Sequence, residues 1–196
     1  MTIRPGEPWG REVARPADLL VAGSDHAAVA AALAEPERPL GLAGGDLFAS
    51  LGAPRHRDPV LALDVDAIRV DLGGGMGHLA IAHVVVRRAW WRGSVIAVMN
   101  VDHLGAWNVA PRAHPNDGAI DVVEVAASMS LRDRWSARRR LPTGTHVPHP
   151  AIATGRVTQR SWSFDAPHRV WVDGVAVGSS RQVSVEVEPD RFRVHV

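Results

Sequence analysis

Short runs in which apolar and polar residues alternate dominate the sequence from Val60 onward, and they constrain the fold more than any other feature. Between Val60 and Leu72, Asp and Arg alternate with Val, Ile and Leu. Further apolar or alternating runs follow at 79–86, 94–101, 120–125, 155–164, 169–172, 182–187 and 192–196. Glycine and proline separate many of them. Such a series of short strands predicts a two-sheet β-sandwich.

The first part of the chain has a different pattern. Asp18–Ala22 and Leu40–Leu42 are short apolar runs that suit buried strands. The Ala-rich run 27–34 lies between them and predicts a helix with Asp25 as its N-cap. A brief second helix is predicted over Leu47–Leu51. The order strand, helix, strand, helix indicates a parallel α/β piece.

One helix interrupts the β region. Ser130–Leu141 has helical composition and ends in an arginine run, and Ser130 with Asp133 forms a pair that resembles a capping box. We therefore expect a mainly β fold with a small α/β segment. The predicted division is a truncated α/β segment over residues 1–57 and a β-sandwich domain over residues 58–196.

Composition excludes several kinds of chemistry. The 196 residues include no Cys, Tyr or Lys, which removes thiolate zinc sites, cysteine nucleophiles, phenolic acids and the lysine of phosphate-binding loops. The net charge of +1 argues against nucleic acid as a partner. The sequence contains neither an apolar run of about 18 residues nor the apolar core of a signal peptide, so we expect a cytoplasmic protein.

Several motifs follow one another in the second half of the chain. They are Asn100, Gly105, Val109-Ala110-Pro111, Asp117-Gly118-Ala119-Ile120-Asp121, the segment 144–150 with its histidines and prolines, Val170-Trp171-Val172-Asp173-Gly174, and the closing run 187–194. In this order and spacing they resemble the C-terminal domain of the diacylglycerol kinase and sphingosine kinase superfamily of lipid kinases. The resemblance covers residues 98–196. It implies ATP and Mg²⁺ as cofactors and a lipid hydroxyl as the phosphoryl acceptor.

Asp173 is the catalytic residue that the resemblance implies. In the family, the Asp of an Asp-Gly-Glu motif looks like the base that accepts the proton of the lipid hydroxyl; here Val175 replaces the Glu. The sequence pattern alone predicts a hairpin turn at Asp173-Gly174, because Asp-Gly between alternating runs is a strong hairpin signal. A hairpin aspartate would lie at an exposed tip, whereas a base would face the α/β segment near Asp25 or Asp46.

The nucleotide-binding residues implied by the resemblance lie in two loops of the first segment. Gly23 and Asp25 stand where the family has Gly-Gly-Asp-Gly-Thr, and Gly44, Gly45 and Asp46 stand where it has Gly-Thr-Gly-Asn-Asp-Phe-Ala. The family's first strand and phosphate loop have no counterpart. Phosphate cradles need backbone N–H groups that no Cβ obstructs, and several of these glycines are replaced here. We therefore predict weak or undetectable binding of ATP.

Asp117 is the metal ligand implied by the resemblance, where the corresponding Asp helps to hold a Mg²⁺ that orders its loop. The alternative is a turn, Pro115 to Gly118, in which Asp117 bonds its own backbone.

His146 and His149 have the HxxH spacing of some zinc sites. The prolines after them predict an extended chain, however, rather than a helical zinc site.

Tryptophan and arginine cluster in two places, around Trp90-Trp91 and around Trp135. The combination suits a membrane surface or a phosphate-bearing ligand, and the alternative is a solvated arginine face with tryptophan in the core. Three functions therefore stay open. One is ATP-dependent phosphoryl transfer to a lipid hydroxyl, and another is a non-catalytic module that binds a lipid or a phosphorylated small molecule. The third is a structural or partner-binding protein that reuses the sandwich. Transient membrane contact and a homodimer are further expectations.

Overall fold

The computed structural model describes residues 9–54, 58–75 and 77–196. Its strands are β1 (Arg11–Val13), β2 (Leu20–Ala22), β3 (Leu40–Leu42), β4 (Val60–Asp71), β5 (Gly77–Ala80), β6 (His83–Arg87), β7 (Val95–Met99), β8 (His103–Leu104), β9 (Trp107–Asn108), β10 (Ile120–Val125), β11 (Ile152–Val157), β12 (Gln159–Val172) and β13 (Val175–His195). Its helices are α1 (Asp25–Ala34), α2 (Asp46–Ser50) and α3 (Leu131–Arg140), with a 3-10 turn at Leu141–Thr143. The predicted mainly β fold is confirmed, with 47% of the described residues in strands and 15% in helices.

Most strands belong to one large, chiefly antiparallel sheet with the order β1-β4-β13-β12-β6-β7-β10-β11. Strands β8 and β9 form a separate small hairpin. Valine and isoleucine side chains from both ends of this path meet in one core, which contains Ile68 and Val70 of β4 as well as Val122 of β10. The sheet therefore folds over itself into packed layers, as the alternating pattern predicts.

The α/β segment extends the same sheet. Strand β2 pairs in parallel with β3, and β3 pairs in parallel with the end of β13, where Leu40 lies opposite Val194. Leu42 and Leu47 of the segment share a core with Val65 and Val194. The predicted division between residues 57 and 58 stays a prediction, and residues 1–8 and 55–57 lie outside the described part of the chain.

Strand β7 is buried on both faces, which explains its unbroken apolar sequence. Ile96 and Val98 face the sandwich core, whereas Ala97 and Met99 face a second cluster that α3 covers. Strand β10 alternates in the same way. The space beneath α3 is therefore lined by one face of β7 and β10, and the other face of these two strands packs into the sandwich core.

Several predicted boundaries change in the structure. The run 79–86 is split between β5 and β6, and the last two predicted strands are one strand, β13, with a register shift between Glu188 and Phe192. The capping pair is confirmed, since Oγ of Ser130 accepts from the Asp133 N–H at 3.1 Å. Asp25 is not the N-cap of α1. Ser24 caps it, because its side chain accepts from the Ala27 N–H, whereas the Asp25 carboxylate accepts from N–H groups at the start of α2.

Helices capable of crossing a membrane would need a long apolar stretch. Among the residues that the structure describes, none of the helices is long and apolar enough to do so.

Candidate functional site: an apolar cavity beside a carboxylate cluster

A cavity of about 450 Å³ lies between α3 and the outer face of strands β7 and β10. Its walls are almost entirely aliphatic and aromatic and include Trp90, Val95, Trp107, Val123, Met129 and Leu141. The strand register explains the apolar floor, because Val123 lies opposite Ala97 and Val125 opposite Val95. Directly paired residues face the same side of a sheet, so these four line one patch.

The mouth of the cavity carries large apolar side chains that are open to solvent. Trp91 is 63% exposed, Leu131 is 66% exposed and Trp135 is 64% exposed. Single exposed apolar residues are ordinary, but a contiguous group around a cavity is typical of a binding surface. We call Trp91, Leu131 and Trp135 the apolar rim.

Exposed arginines lie near the apolar rim in sequence, and one of them, Arg138, lines the cavity. They are Arg88, Arg92, Arg132, Arg138, Arg139 and Arg140. Within the described residues, none of these six guanidinium groups forms an ion pair with a carboxylate. Arg138 instead lies over the ring of Trp107, 5.3 Å from its centroid. The mouth of the cavity is therefore both apolar and cationic.

Arg134 fixes the shape of this mouth. It is buried, and its guanidinium donates to the backbone carbonyls of Met129, Ala126, Gly93 and Trp90 at 2.6–3.3 Å. These carbonyls belong to the loop before α3 and to the loop of the paired tryptophans. One side chain of α3 thus joins the loop that carries Trp91 to the loop that leads into α3, the helix that carries Leu131 and Trp135.

The cavity wall contains a buried polar side chain whose hydrogen bonding is incomplete. His146 lines the cavity and is 3% exposed, and among the described residues neither ring nitrogen has a well-aligned hydrogen bond. Burial lowers the pKa of His146, and a weak hydrogen-bonding contact with the backbone of Val109 opposes that shift. The ring is therefore neutral near pH 7. By contrast, Nδ1 of His149 accepts from the Ala151 N–H at 3.1 Å.

A cluster of carboxylates lies at the junction of the α/β segment and the sheet. Asp173 and Gly174 form the predicted hairpin between β12 and β13, with positive φ values of 46° and 81°. The expectation of an exposed tip for a hairpin aspartate is wrong here, because Asp173 is only 8% exposed. Its carboxylate accepts from the N–H groups of Ile81, Ala82 and His83 at 2.9–3.0 Å. These bonds break the run 79–86 into two strands.

The carboxylate of Asp25 faces this cluster from the other side. It accepts from the N–H groups of Asp46 at 2.5 Å and Leu47 at 3.2 Å, at the start of α2. Burial and repulsion from Asp173 raise the pKa of Asp25 to about 7. Burial also raises the pKa of Asp173. Oδ2 of Asp46 lies 3.4 Å from Nδ1 of His83. The structure thus brings Asp25, Asp46 and Asp173 together.

Two of the three glycines in the candidate nucleotide loops, Gly44 and Gly45, serve close packing within the chain. A Cβ on Gly45 would lie 2.4 Å from the Asp25 carboxylate, and one on Gly44 would lie 2.4 Å from the carbonyl of Gly23. Gly23 itself has open space around its α-carbon. The anion position at the start of α2 is therefore filled by Asp25, and these loops do not fit a nucleotide phosphate as they stand.

Asp117 lies apart from that cluster. Its carboxylate pairs with Arg156 at 2.6 Å, and Oδ1 accepts from the Ala119 N–H at 3.2 Å, as in the predicted turn. An arginine at this distance competes with a cation for the carboxylate. Within the described ranges, no group of three or more His, Asp or Glu side chains has the geometry to hold a metal ion. The present arrangement of Asp117 does not fit Mg²⁺.

The hairpin β8–β9 joins the cavity to the carboxylate cluster. Leu104 and Trp107 line the cavity, while the N–H of Gly105 between them donates to Asp46 at 2.9 Å. Sequence analysis identified the tryptophans and His146 but not the cavity, since its lining comes from segments far apart in the chain. The register of two buried strands was the signal that could have located its floor.

Comparison with known proteins agrees with this fold. Residues 72–196 match the model of the YegS C-terminal NAD kinase beta sandwich-like domain. Two solved structures of a protein provisionally described as a diacylglycerol kinase, from Bacillus anthracis strain Sterne, superpose with TM-scores of 0.66 and 0.67. Each is 12% identical, and the match covers 90% of this chain and 77% of theirs.

A third structure, of a diacylglycerol kinase from the same strain, has a TM-score of 0.61 at 13% identity and covers 90% of this chain and 75% of the other. No curated protein sequence matches significantly. At such low identity the structural likeness establishes the fold, whereas the domain model covers well over half of the chain. The resemblance to the lipid kinase superfamily is thus confirmed, and the chain belongs to the family of the YegS C-terminal NAD kinase beta sandwich-like domain.

Proposed function

We propose that this chain is a lipid-binding module of the lipid kinase fold, with the apolar chain of the lipid in the cavity beneath α3. The cavity itself is the observation that supports this function. Its volume of about 450 Å³ lies in the usual range for small-molecule sites. Burial of an apolar chain against such walls contributes roughly 0.8 kcal/mol for each CH₂ group removed from water.

The apolar rim gives this lipid a route into the cavity. Tryptophan is favoured at the boundary of a bilayer, and arginine attracts anionic headgroups. Trp91, Leu131 and Trp135 are exposed beside arginines without carboxylate partners. Transient contact with a membrane surface, in a cytoplasmic protein, is therefore part of the same proposal.

Tryptophan fluorescence tests the proposal, because Trp90, Trp91, Trp107 and Trp135 all line the cavity. We expect a diacylglycerol with brominated acyl chains to quench this emission saturably. Ala137→Phe would fill the space under α3 and weaken the quenching by at least about tenfold, which corresponds to about 1.4 kcal/mol. Ala30→Phe on the exposed face of α1 is the matched control. Equal quenching in both variants would contradict the proposed site.

ATP-dependent phosphoryl transfer to the hydroxyl of such a lipid is the second candidate function. The convergence of Asp25, Asp46 and Asp173 favours it. A carboxylate must take up the hydroxyl proton in this reaction, and a base works best with a pKa near the working pH. Asp173 is the residue that the family resemblance assigns to this role, and Asp25 is the carboxyl group with a pKa of about 7.

Two contacts favour the binding module over the kinase. Asp25 fills the anion position of α2, and three backbone N–H groups engage the carboxylate of Asp173. We therefore expect calorimetry with Mg²⁺ and ATP to detect little or no binding. Transfer of labelled phosphate from ATP to diacylglycerol, with its loss in Asp173→Asn, would establish the kinase instead.

A further inference from the structure

A buried histidine without hydrogen-bond partners is unusual in a folded protein. Leaving a polar group unpaired away from water costs roughly 1–3 kcal/mol, so native structures pair most of them. His146 is 3% exposed and lines the cavity beneath α3, and within the described residues its ring has only a weak contact with the Val109 backbone and no well-aligned hydrogen bond at either nitrogen. This feature is independent of the carboxylate cluster, and neither candidate function explains it.

The protonation state of the His146 ring determines which ligand groups can hydrogen-bond to it. A neutral imidazole carries one N–H donor and one acceptor nitrogen. A hydroxyl group is likewise donor and acceptor, so it can bond to either ring nitrogen in either tautomer. An anionic headgroup would find no positive charge on His146 and would bind better among the exposed arginines at the mouth, such as Arg138.

We propose that His146 is the polar recognition point of the cavity and binds the hydroxyl group of an otherwise apolar lipid. This inference rests on the proposed lipid-binding function and adds a selectivity to it. The walls around the ring, among them Leu104, Val109 and Ile152, are apolar. A ligand without a polar group leaves the hydrogen bonding of His146 incomplete, whereas a ligand with a hydroxyl at that position completes it.

Two brominated probes of equal chain length test the inference with the full chain. 11-Bromoundecan-1-ol carries a hydroxyl, and 1-bromoundecane does not, while the bromine of both quenches tryptophan. Because the ratio of the two affinities is compared between protein variants, the difference in water solubility between the two probes cancels. We expect His146→Phe to lower the ratio of alcohol affinity to alkane affinity by about 3- to 10-fold, the equivalent of one neutral hydrogen bond. His146→Gln keeps a donor and an acceptor and should retain part of the preference.

The outcomes separate the inference from the function on which it rests. Quenching by both probes, with the same affinity ratio in the wild-type protein and in His146→Phe, would overturn the role of His146 and leave lipid binding intact. Quenching by neither probe would overturn both. If His146→Phe does not fold, measurements on the wild-type protein alone test the inference. 1-Bromoundecane lacks both the donor and the acceptor of the hydroxyl and should bind less tightly than the alcohol relative to their partition into octanol, and equal corrected affinities would overturn the inference.

Discussion

The backbone N–H of Gly105 donates a 2.9 Å hydrogen bond to the carboxylate of Asp46. Gly105 belongs to the turn of the hairpin β8–β9, whose Leu104 and Trp107 line the cavity, whereas Asp46 begins α2 in the carboxylate cluster. This hydrogen bond therefore joins the two candidate sites. The α/β segment supports the wall of the cavity as well as the core that it shares with the sheet.

Arg134 should be essential for the mouth of the cavity. Its guanidinium donates to four backbone carbonyls, and Arg134→Met would remove these four bonds, one of which is buried and three of which are part-buried. We expect the free energy of unfolding to fall by about 2–4 kcal/mol, given the strength of hydrogen bonds from charged donors. Urea denaturation measures this. Arg132→Met, on the exposed face of the same helix, should change stability by less than about 0.5 kcal/mol. Equal effects would contradict the role of Arg134.

Asp173 should be a structural residue whether or not it is also a base. Its carboxylate accepts three backbone N–H bonds, and the amide of Asp173→Asn would turn an NH₂ group toward at least one of those donors. We expect thermal denaturation to reveal a loss of about 1–3 kcal/mol. Asp165→Asn, an exposed position on β12, serves as the control. A thermally neutral Asp173→Asn variant would mean that these bonds contribute little.

Asp25 should make stability fall as pH rises. Its pKa in the folded state, about 7, lies above its ordinary value of 3.8, so the folded protein holds the proton more tightly. This stabilisation is complete below about pH 4 and is lost as the pH rises through about 7. Relative to Asp25→Asn, which cannot titrate, the wild-type protein should therefore lose stability between about pH 5 and pH 8. A constant difference between the two across this range would contradict the raised pKa.

The apolar rim should bind vesicles that contain anionic phospholipid. Trp91→Ala and Trp135→Ala should each weaken binding in a flotation assay, because each removes a large exposed ring beside unpaired arginines. Added salt should weaken it further, since it screens the arginines. Leu33→Ala removes an exposed leucine of α1, away from the rim, and should have no effect. Loss of binding in that control as strong as in the tryptophan variants would place the contact elsewhere.

The alternating pattern predicted the architecture well because it reports directly on burial. Leu40–Leu42 and Ile120–Val125 were predicted with the bounds that the structure has. The predicted strand boundaries were wrong where a side chain distant in sequence determines them. The break after Ala80 depends on the carboxylate of Asp173, about ninety residues later in the chain, and no local signal at Ile81 or Ala82 reveals it.

The candidate site was less predictable than the fold. Family motifs directed attention to Asp25, Asp46 and Asp173, which do lie together, but not to the bonds that occupy their carboxylates. The cavity depends on which faces of β7 and β10 remain uncovered by the sandwich core. That information lies in the strand pairing rather than in any motif. Only the strand pairing identifies His146 as a residue of a cavity wall.

Photo-crosslinking tests lipid binding in the cavity most directly. A diacylglycerol with a diazirine in its acyl chain would be activated in the presence of the protein, and the adducts would be located by mass spectrometry. We predict adducts within residues 90–109 and 123–152, which supply most of the cavity wall, and their loss when unlabelled diacylglycerol is added in excess. Adducts concentrated instead in the polar groove of Arg69, Arg160 and Glu186, or distributed without competition over the surface, would contradict the proposed site.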